Sequence, residues 1–220
     1  MQNIKAIIFD AYGTLFDVNS AAEKCKDKIG DKWENFANYW RTTQLEYTWL
    51  RSLMKRHKDF WQVTEDSLEK SMKVFKIDSS MRNELLNLYK ILSPFSEVPE
   101  VLKNLKKKNY KLAILSNGTP SLLNELVKSN NLENVFDDIL SIEEVKIYKP
   151  DSKVYDIPVK KYKIEKNEFA YLSANTWDVS GAGNYGFNPV WVNRNNSIFD
   201  NLDYVPKYQI ENLSKLIDIF

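Results

Sequence analysis

An acidic side chain follows directly on a short apolar run near the start of the chain. Ile7, Ile8 and Phe9 are typical of a strand buried on both faces, so Asp10 is expected to leave a parallel sheet at its carboxyl end. In open α/β sheets that edge is where ligands bind, which favours a chemical role for this carboxylate. An aspartate three residues before Gly13 is also ordinary turn chemistry, so this position alone leaves both interpretations open.

Polar side chains follow later apolar runs in the same way. Because the carboxyl ends of parallel strands meet at one edge of a sheet, we expect these groups to converge on Asp10 and the nearby Thr14. Together they supply a cation, a second carboxylate and several neutral hydrogen-bonding groups. The residues concerned are Ser116, Asn117, Lys149, Ser173, Asn175 and Asp178.

The stretch over 18–92 contains no proline and no convincing strand, which predicts a block of helices. Its longest helix is predicted over about 33–56, where large apolar residues recur at helical intervals. Thr64 is predicted to cap a second helix, and a third spans roughly 80–91. Because the block is inserted straight after the first strand, we expect it to cover the edge that carries Asp10. The apolar stripe consists of Phe36, Trp40, Tyr47, Leu50 and Met54.

Pro94 and Pro99 mark a change to alternating strands and helices, as expected for βαβ units. The second half is therefore predicted to extend the sheet that the first strand begins. Predicted strands cover 111–115, 138–141, 168–172 and 189–193. Predicted helices cover 100–108, 121–129, 178–185 and 213–219, and a further helix opens at Lys149-Pro150-Asp151.

Charge, cysteine and histidine content limit the function classes. The 220 residues carry a formal charge of +1, which gives no electrostatic argument for nucleic acid or for a membrane surface. No window has the apolar length of a membrane span. The single cysteine, Cys25, excludes an internal disulfide framework and favours a reducing, cytoplasmic setting. The single histidine, His57, lies among charged residues typical of a solvated helix end and offers little for a histidine triad or metal site.

The order and spacing of these groups resemble the haloacid dehalogenase superfamily of aspartate-nucleophile hydrolases, and within it the L-2-haloacid dehalogenases. The resemblance covers nearly the whole chain. It implies an α/β fold: a Rossmann-like parallel sheet flanked by helices over 1–16 and 93–220, with an inserted all-helical cap over 17–92. The segments that carry it are FDAYGTLFDV, WRTTQLEYTWLRSLM, PFSEVPEVLKNL, KLAILSNG, KIYKPD and LSANTWDVSGAGNYGF.

This resemblance implies a displacement in two steps. Asp10 would attack the halogen-bearing carbon and form an ester, while Thr14 holds the carboxylate in line. Lys149 would keep Asp10 ionised. Asp178 would activate the water that hydrolyses the ester. Its helpers in that step would be Asn175 and Ser173.

The resemblance also implies a substrate pocket. Arg41 and Asn117 would receive the leaving halide, because an arginine presents several donors and keeps its charge. An arginine on an amphipathic helix is otherwise usually a solvated surface cation. Ser116 and the backbone amides of Ala11 and Tyr12 would hold the substrate carboxylate. The side chains predicted to line or support the pocket are Tyr12, Leu45, Phe60, Tyr155 and Trp177.

Other functions stay open at this point. A magnesium-dependent phosphatase of the same superfamily would carry an acid two residues after its nucleophile, where this chain has Tyr12. Its late acids are also partly replaced by neutral groups, so we expect neither a metal nor another cofactor. A non-catalytic binding protein on the same scaffold is a second alternative. An enzyme that opens a strained ring by the same attack would look identical at this level.

The leading interpretation is a hydrolase of carbon–halide bonds that converts 2-haloalkanoic acids to 2-hydroxyacids with inversion. Its expected partners are a short halogenated carboxylic acid and the halide released from it, with no nucleic acid and no membrane. The aromatic helical block further predicts a homodimer. The preferred halogen and chain length do not follow from the sequence.

Overall fold

A parallel sheet forms the centre of the protein. Its strands are β1 (Ala6–Phe9), β2 (Lys111–Ser116), β3 (Asp138–Ser141), β4 (Phe169–Ser173), β5 (Asn188–Val192) and β6 (Tyr208–Ile210). In the computed structural model, which describes residue 1 and residues 3–220, they form one six-stranded sheet in the order β3-β2-β1-β4-β5-β6. Every neighbouring pair is parallel, so the predicted α/β class is confirmed.

The first strand lies in the middle of this sheet. β1 and β4 are buried along their whole length, which explains why their sequences are uninterrupted apolar runs. Phe9 is level with Ile114 on one side and with Leu172 on the other. The residues that follow these strands therefore emerge side by side. The strand order reverses between β1 and β4, the type of position where open α/β sheets bind ligands.

In the described chain, six α-helices lie between β1 and β2, and the first five form a helical block. They are α1 (Ser20–Glu23), α2 (Lys26–Ile29), α3 (Trp33–Leu53), α4 (Phe60–Phe75) and α5 (Arg82–Lys90). The predicted long helix is confirmed as α3. Its stripe is buried at Phe36 and Trp40, whereas Leu50 and, just after the helix, Met54 are exposed.

Thr64 does not begin the second long helix of this block, contrary to the prediction. Helix α4 starts one turn earlier, at Phe60, and its N-cap is Asp59, whose carboxylate accepts a hydrogen bond from the Gln62 N–H. Thr64 lies inside α4 with its side chain fully buried. Aspartate and threonine are both good capping residues, so capping preference alone does not distinguish them.

The chain leaves the sheet for the helical block, and returns from it, through two adjacent backbone segments. The Asp17 N–H donates to the Ser93 carbonyl at 2.9 Å, and the Phe95 N–H donates to the Leu15 carbonyl at 3.1 Å. We call these paired segments, 15–17 and 93–95, the neck. The neck coincides with the predicted boundaries of the cap, whose independence as a domain stays a prediction.

Four further helices, α6 (Val98–Lys107), α7 (Pro120–Ser129), α8 (Ser152–Tyr162) and α9 (Thr176–Tyr185), connect the later strands. The sheet also has a strand that was not predicted, β6. It contains only three residues, of which Ile210 alone is buried, so its pattern is too short to distinguish from a loop. The predicted final helix is a 3-10 helix over Leu213–Asp218.

Within residues 1 and 3–220, no helix combines the length and the apolar character needed to cross a membrane.

Candidate active site

Asp10 lies immediately after β1 and is almost completely buried, with 5% of its surface exposed. Its Oδ1 accepts a hydrogen bond from Lys149 Nζ at 2.8 Å. Its Oδ2 accepts two more, from the Thr14 hydroxyl at 2.9 Å and from Asn175 Nδ2 at 3.0 Å. These contacts from three separate chain segments fix the plane of the carboxylate. The structure thus brings four of the predicted catalytic residues together.

Lys149 is a buried cation between two acids. Its side chain is fully buried, and its ammonium donates to Asp10 at 2.8 Å, to Asp178 Oδ2 at 3.0 Å and to the Tyr171 hydroxyl at 2.7 Å. An ammonium has three donors, so all of them are used. Burial alone would lower the pKa of Lys149, but the charges of Asp10 and Asp178 outweigh it and hold the pKa above its ordinary value. Lys149 is therefore charged throughout the neutral range.

Asp178 is the second acid of this cluster and lies in the first turn of α9, where the helix dipole favours a negative charge. Both of its oxygens are occupied. Oδ1 accepts from the Tyr155 hydroxyl at 2.8 Å, and Oδ2 accepts from Lys149 and from the Tyr171 hydroxyl at 2.9 Å. Burial raises the pKa of Asp178, while Lys149 opposes that rise. Three donors from separate elements therefore hold this carboxylate in one orientation.

Two tyrosines hold Asp178. Tyr155, which the resemblance places in or beside the pocket, is fully buried, and its hydroxyl donates to Asp178. Tyr171 was not predicted at all, because a tyrosine inside a buried strand resembles an ordinary core residue. Burial and the nearby Asp178 raise the pKa values of both hydroxyls well above the usual range, so both keep their protons.

The turns after β1 and β4 interlock through Thr14. Gly13 has a φ of 88°, a conformation that favours glycine and that lets the chain turn back above Asp10. The Ala174 N–H donates to Thr14 Oγ1 at 2.8 Å, which leaves the Thr14 proton to point at Asp10. Ser173, predicted to help Asp178, instead accepts the Asn175 N–H at 3.1 Å, and within the described chain it makes no hydrogen bond to Asp178. Ser173 therefore shapes the turn that presents Asn175.

The ends of β1 and β2 offer polar groups beside the acids. Ser116 is fully buried, and its hydroxyl accepts the Gly118 N–H at 3.1 Å. Asn117 Oδ1 accepts the Lys149 N–H at 3.2 Å, which ties this strand end to the lysine loop. Among the described residues, the backbone N–H groups of Ala11 and Tyr12 have no acceptor. Unpaired backbone donors in a buried turn are rare, and here they form a small cradle that an anion can occupy.

Arg41 reaches this edge from the helical block. Its Nη2 donates to the Tyr12 carbonyl at 3.3 Å, and its Nη1 donates to Gln44 Oε1 at 2.9 Å. The side chain is half-buried, so the interpretation as a solvated surface cation is wrong. Arg41 thus places a positive charge directly over the turn that follows Asp10.

Aromatic side chains enclose the site between the sheet and the helical block. The Tyr12 ring is buried and packs against Phe60, with ring centres 5.0 Å apart, and against Tyr89 at 5.7 Å. Trp177 is half-buried and meets Trp49 edge-on at 5.4 Å. Leu45 is also half-buried on α3, one residue after Gln44. Tyr12 thus joins the turn after Asp10 to aromatic residues of the helical block.

His57 is not a solvated helix end, contrary to the prediction. Its Nε2 lies 3.0 Å from Glu143 Oε2, and its ring packs on Tyr148 with centres 5.4 Å apart. The Tyr148 hydroxyl in turn donates to the Lys58 carbonyl at 2.6 Å. His57 therefore belongs to the contact between the helical block and the loop that carries Lys149.

The charges of this cluster do not suit a divalent metal. The part of the chain that the structure describes contains no group of three or more His, Cys, Asp or Glu side chains arranged to hold one. The Lys149 ammonium lies within 3.0 Å of both Asp10 and Asp178, in the space that a shared cation would need. It neutralises the acids and would repel a dication.

Three features of this protein are together typical of one class of hydrolases. They are the strand order of the parallel sheet, the aspartate after its first strand and the lysine paired with that aspartate. The sequence model of the haloacid dehalogenase-like hydrolases matches residues 4–186. The chain belongs to this family.

Within the family, the similarity to dehalogenases spans the full length. The chain is 39% identical over 222 residues to the (S)-2-haloacid dehalogenase of Pseudomonas sp. (strain YL), covering 100% of this chain and 96% of that protein. A crystal structure described as a dehalogenase superposes with a TM-score of 0.98 at 36% identity, covering 100% and 98% of the two chains. The L-2-haloacid dehalogenase of Xanthobacter autotrophicus with chloropropionic acid covalently bound superposes with a TM-score of 0.87 at 31% identity, covering 98% of each chain.

Proposed function

We propose that this protein hydrolyses the carbon–halogen bond of short L-2-haloalkanoic acids and releases 2-hydroxyacids of inverted configuration. The observation that carries the proposal is the pairing of Asp10 with the buried ammonium of Lys149, below the charged Arg41. It supplies a carboxylate held beside a buried cation, and an anion-binding group over the same turn. The names of the similar (S)-2- and L-2-haloacid dehalogenases support the choice of substrate.

In the first step, a carboxylate oxygen of Asp10 attacks the halogen-bearing carbon from the side opposite the halogen. The new oxygen–carbon bond forms as the carbon–halogen bond breaks, and its electron pair leaves with the halide. This attack inverts the carbon and leaves an ester on Asp10. The covalently bound chloropropionic acid in the Xanthobacter enzyme supports a covalent intermediate.

The surrounding residues act on charge in this step. Arg41, together with Asn117, receives the departing halide, and the free N–H groups after Asp10 hold the substrate carboxylate with Ser116. A halide is a very weak base and needs no proton on departure. Position 12 carries a tyrosine in place of a general acid. Phosphate-ester cleavage needs that acid to protonate the leaving group, whereas halide release does not.

In the second step, water attacks the acyl carbon of the ester and the hydroxyacid leaves. Thr14 and Asn175, which both donate to Asp10, stabilise the negative charge that returns to this group. Asp178 takes up a proton from the attacking water and passes it to the departing alkoxide oxygen, which leaves as the hydroxyl of the product. The carboxyl group that is re-formed on Asp10 loses its remaining proton to solvent. The rise of the Asp178 pKa on burial strengthens it as a base.

Halide release tests the proposed function against the phosphatase alternative. We expect release from L-2-chloropropionate, little from the D-isomer, and no loss of rate in excess EDTA, because Lys149 already supplies the positive charge. Phosphate release from a generic phosphomonoester with magnesium serves as the parallel assay. If EDTA abolished turnover and magnesium restored it, the phosphatase-like function would replace this proposal.

Arg41→Lys should lower halide release roughly a hundredfold, or about 3 kcal/mol of transition-state stabilisation. The variant keeps a positive charge but loses the planar group that spans Gln44 and the Tyr12 carbonyl. Steady-state halide assays give the change directly. Arg82→Lys is the matched control, because Arg82 pairs with Glu65 and Glu69 within the helical block. Equal rates for the two variants would return Arg41 to a structural role.

We also propose a homodimer and a cytoplasmic location. Support for the dimer comes from the end of α3, where Leu50, Leu53 and Met54 are 43%, 78% and 61% exposed. Light scattering on the purified protein should give twice the chain mass, and a monomer at micromolar concentration would contradict it. The buried, unpaired Cys25 is compatible with a reducing compartment.

A further inference from the structure

Gln44 lies one turn after Arg41 on α3 and is buried, with 1% of its surface exposed. It takes no part in the proposed reaction, yet every polar atom of its side chain has a partner. Its Oε1 accepts from Arg41 Nη1 at 2.9 Å. Its Nε2 donates to Thr64 Oγ1 at 2.7 Å and to the Tyr89 hydroxyl at 3.0 Å. A buried amide with this many contacts has a single low-energy orientation.

Thr64 determines which end of the amide faces Arg41. The Thr64 hydroxyl has one proton, and it donates that proton to the Phe60 carbonyl at 2.7 Å. Toward Gln44 it can therefore only accept, which requires the NH₂ end of the amide. The oxygen end must then point at Arg41. A reversed amide would place two donors against each other at Arg41 and two acceptors at Thr64.

Thr64 on α4, Gln44 on α3 and Arg41 therefore form a chain of hydrogen bonds that ends at the reaction site. We call this chain the relay. The guanidinium is held at two points, by Gln44 on Nη1 and by the Tyr12 carbonyl at 3.3 Å on Nη2. A planar group held at two points has a fixed orientation, so its remaining N–H donors point in a defined direction. Gln44 is also neutral, so it orients Arg41 without cancelling the charge that an anion would need.

We propose that Gln44, with its orientation set by Thr64, is a positioning residue that aims the Arg41 guanidinium at the departing halide. This rests on the proposed function, in which Arg41 receives that halide. The relay matters most when the charge on the halide is largest and most localised. It should therefore favour chloride, the smaller and poorer leaving group, over bromide.

Four variants separate positioning from packing. Gln44→Leu removes the amide at similar volume, and Thr64→Val removes only the hydroxyl that orients it. Thr64→Ser keeps that hydroxyl and should therefore keep the orientation of the Gln44 amide. Thr48→Val is the matched control, because Thr48 is also a fully buried threonine of the helical block whose hydroxyl donates to a helix carbonyl, that of Leu45 at 2.6 Å.

The first readout is the dependence of kcat on the leaving group. Thr64→Val and Gln44→Leu should lower kcat on L-2-chloropropionate roughly tenfold and on L-2-bromopropionate only about threefold, with little change in KM. Thr64→Ser and Thr48→Val should keep the wild-type ratio of the two rates. Loss of packing alone would lower both rates equally, and an unchanged chloride-to-bromide ratio in Gln44→Leu would overturn the proposal.

The second readout does not depend on turnover. In arginine-labelled protein, the guanidinium signals assigned to Arg41 by their loss in Arg41→Lys should be resolved in the wild type and in Thr48→Val. They should collapse to averaged signals in Gln44→Leu and Thr64→Val. Unchanged signals in Gln44→Leu overturn the positioning role. If the signals collapse in the variants but the wild type releases no halide, Gln44 is still the residue that orders Arg41. In that case the proposed function alone is overturned.

Discussion

Asp10→Asn should reduce halide release on the order of ten-thousand-fold or more, because the amide cannot serve as the attacking oxygen. The substitution keeps the size of the side chain, and Lys149 keeps its pairing with Asp178, so the fold should persist. Initial rates of halide release, measured on freshly purified protein, give the effect. Asp17→Asn is the control, since Asp17 lies in the neck, where its carboxylate accepts a hydrogen bond from the Asn19 N–H at 2.9 Å.

A single turnover in oxygen-18 water tests the same residue without mutation. Water attacks the acyl carbon of the ester, so the first labelled oxygen should remain on Asp10 and the first product should be unlabelled. Mass analysis of the peptide that contains Asp10 detects this label. Label in the first product, with none on the peptide, would show that water attacks the substrate directly.

Lys149→Met should lower activity roughly a thousandfold and destabilise the fold by about 3 to 5 kcal/mol, because one buried cation is removed from between two acids. Asp10 and Asp178 would then repel each other and share a proton, which weakens the nucleophile. Halide assays and urea unfolding measure the two effects. Lys153→Met, an exposed lysine at the start of α8, is the control and should change neither quantity.

The stabilisation that Lys149 contributes to the fold should be lost at alkaline pH. The folded-state pKa of Lys149 is raised above the ordinary 10.5, so its stabilisation is fully present below that pH and is lost as the pH rises through the folded-state value. The difference in unfolding free energy between wild type and Lys149→Met should therefore not fall between neutral pH and mildly alkaline pH, and it should shrink above it. A difference that shrank already near neutral pH would show that Lys149 is not the charged partner of the two acids.

The sheet and the acids at its edge were predictable because the central strands are mainly apolar and are followed by polar groups. Asp10, Lys149 and Asp178 are far apart in sequence, and the parallel topology alone brings them together. The number and positions of the central strands therefore followed from local pattern. The short strand β6 did not, because only Ile210 in it is buried.

The residues that support the site were harder to predict, because a hydroxyl or amide shows its partner only after folding. Tyr171 has the pattern of a core residue. Its hydroxyl joins the acid cluster only because folding places the Lys149 ammonium beside it. Thr64 has the sequence of a helix cap, yet burial in α4 gives it the role of orienting Gln44. Propensity describes the local chain, whereas these contacts depend on another element.

The neck has a consequence for how such proteins diversify. The two segments of the neck, 15–17 and 93–95, lie side by side. A different set of helices can therefore be joined to them without moving a strand end. Of the predicted catalytic residues, Arg41 alone comes from the helical block, while the others lie at the ends of strands or in the segments that follow them. The proposed nucleophile and the proposed halide-binding arginine thus lie on separate pieces of the chain, and recombination or directed evolution can exchange the helical block while the strand ends stay intact.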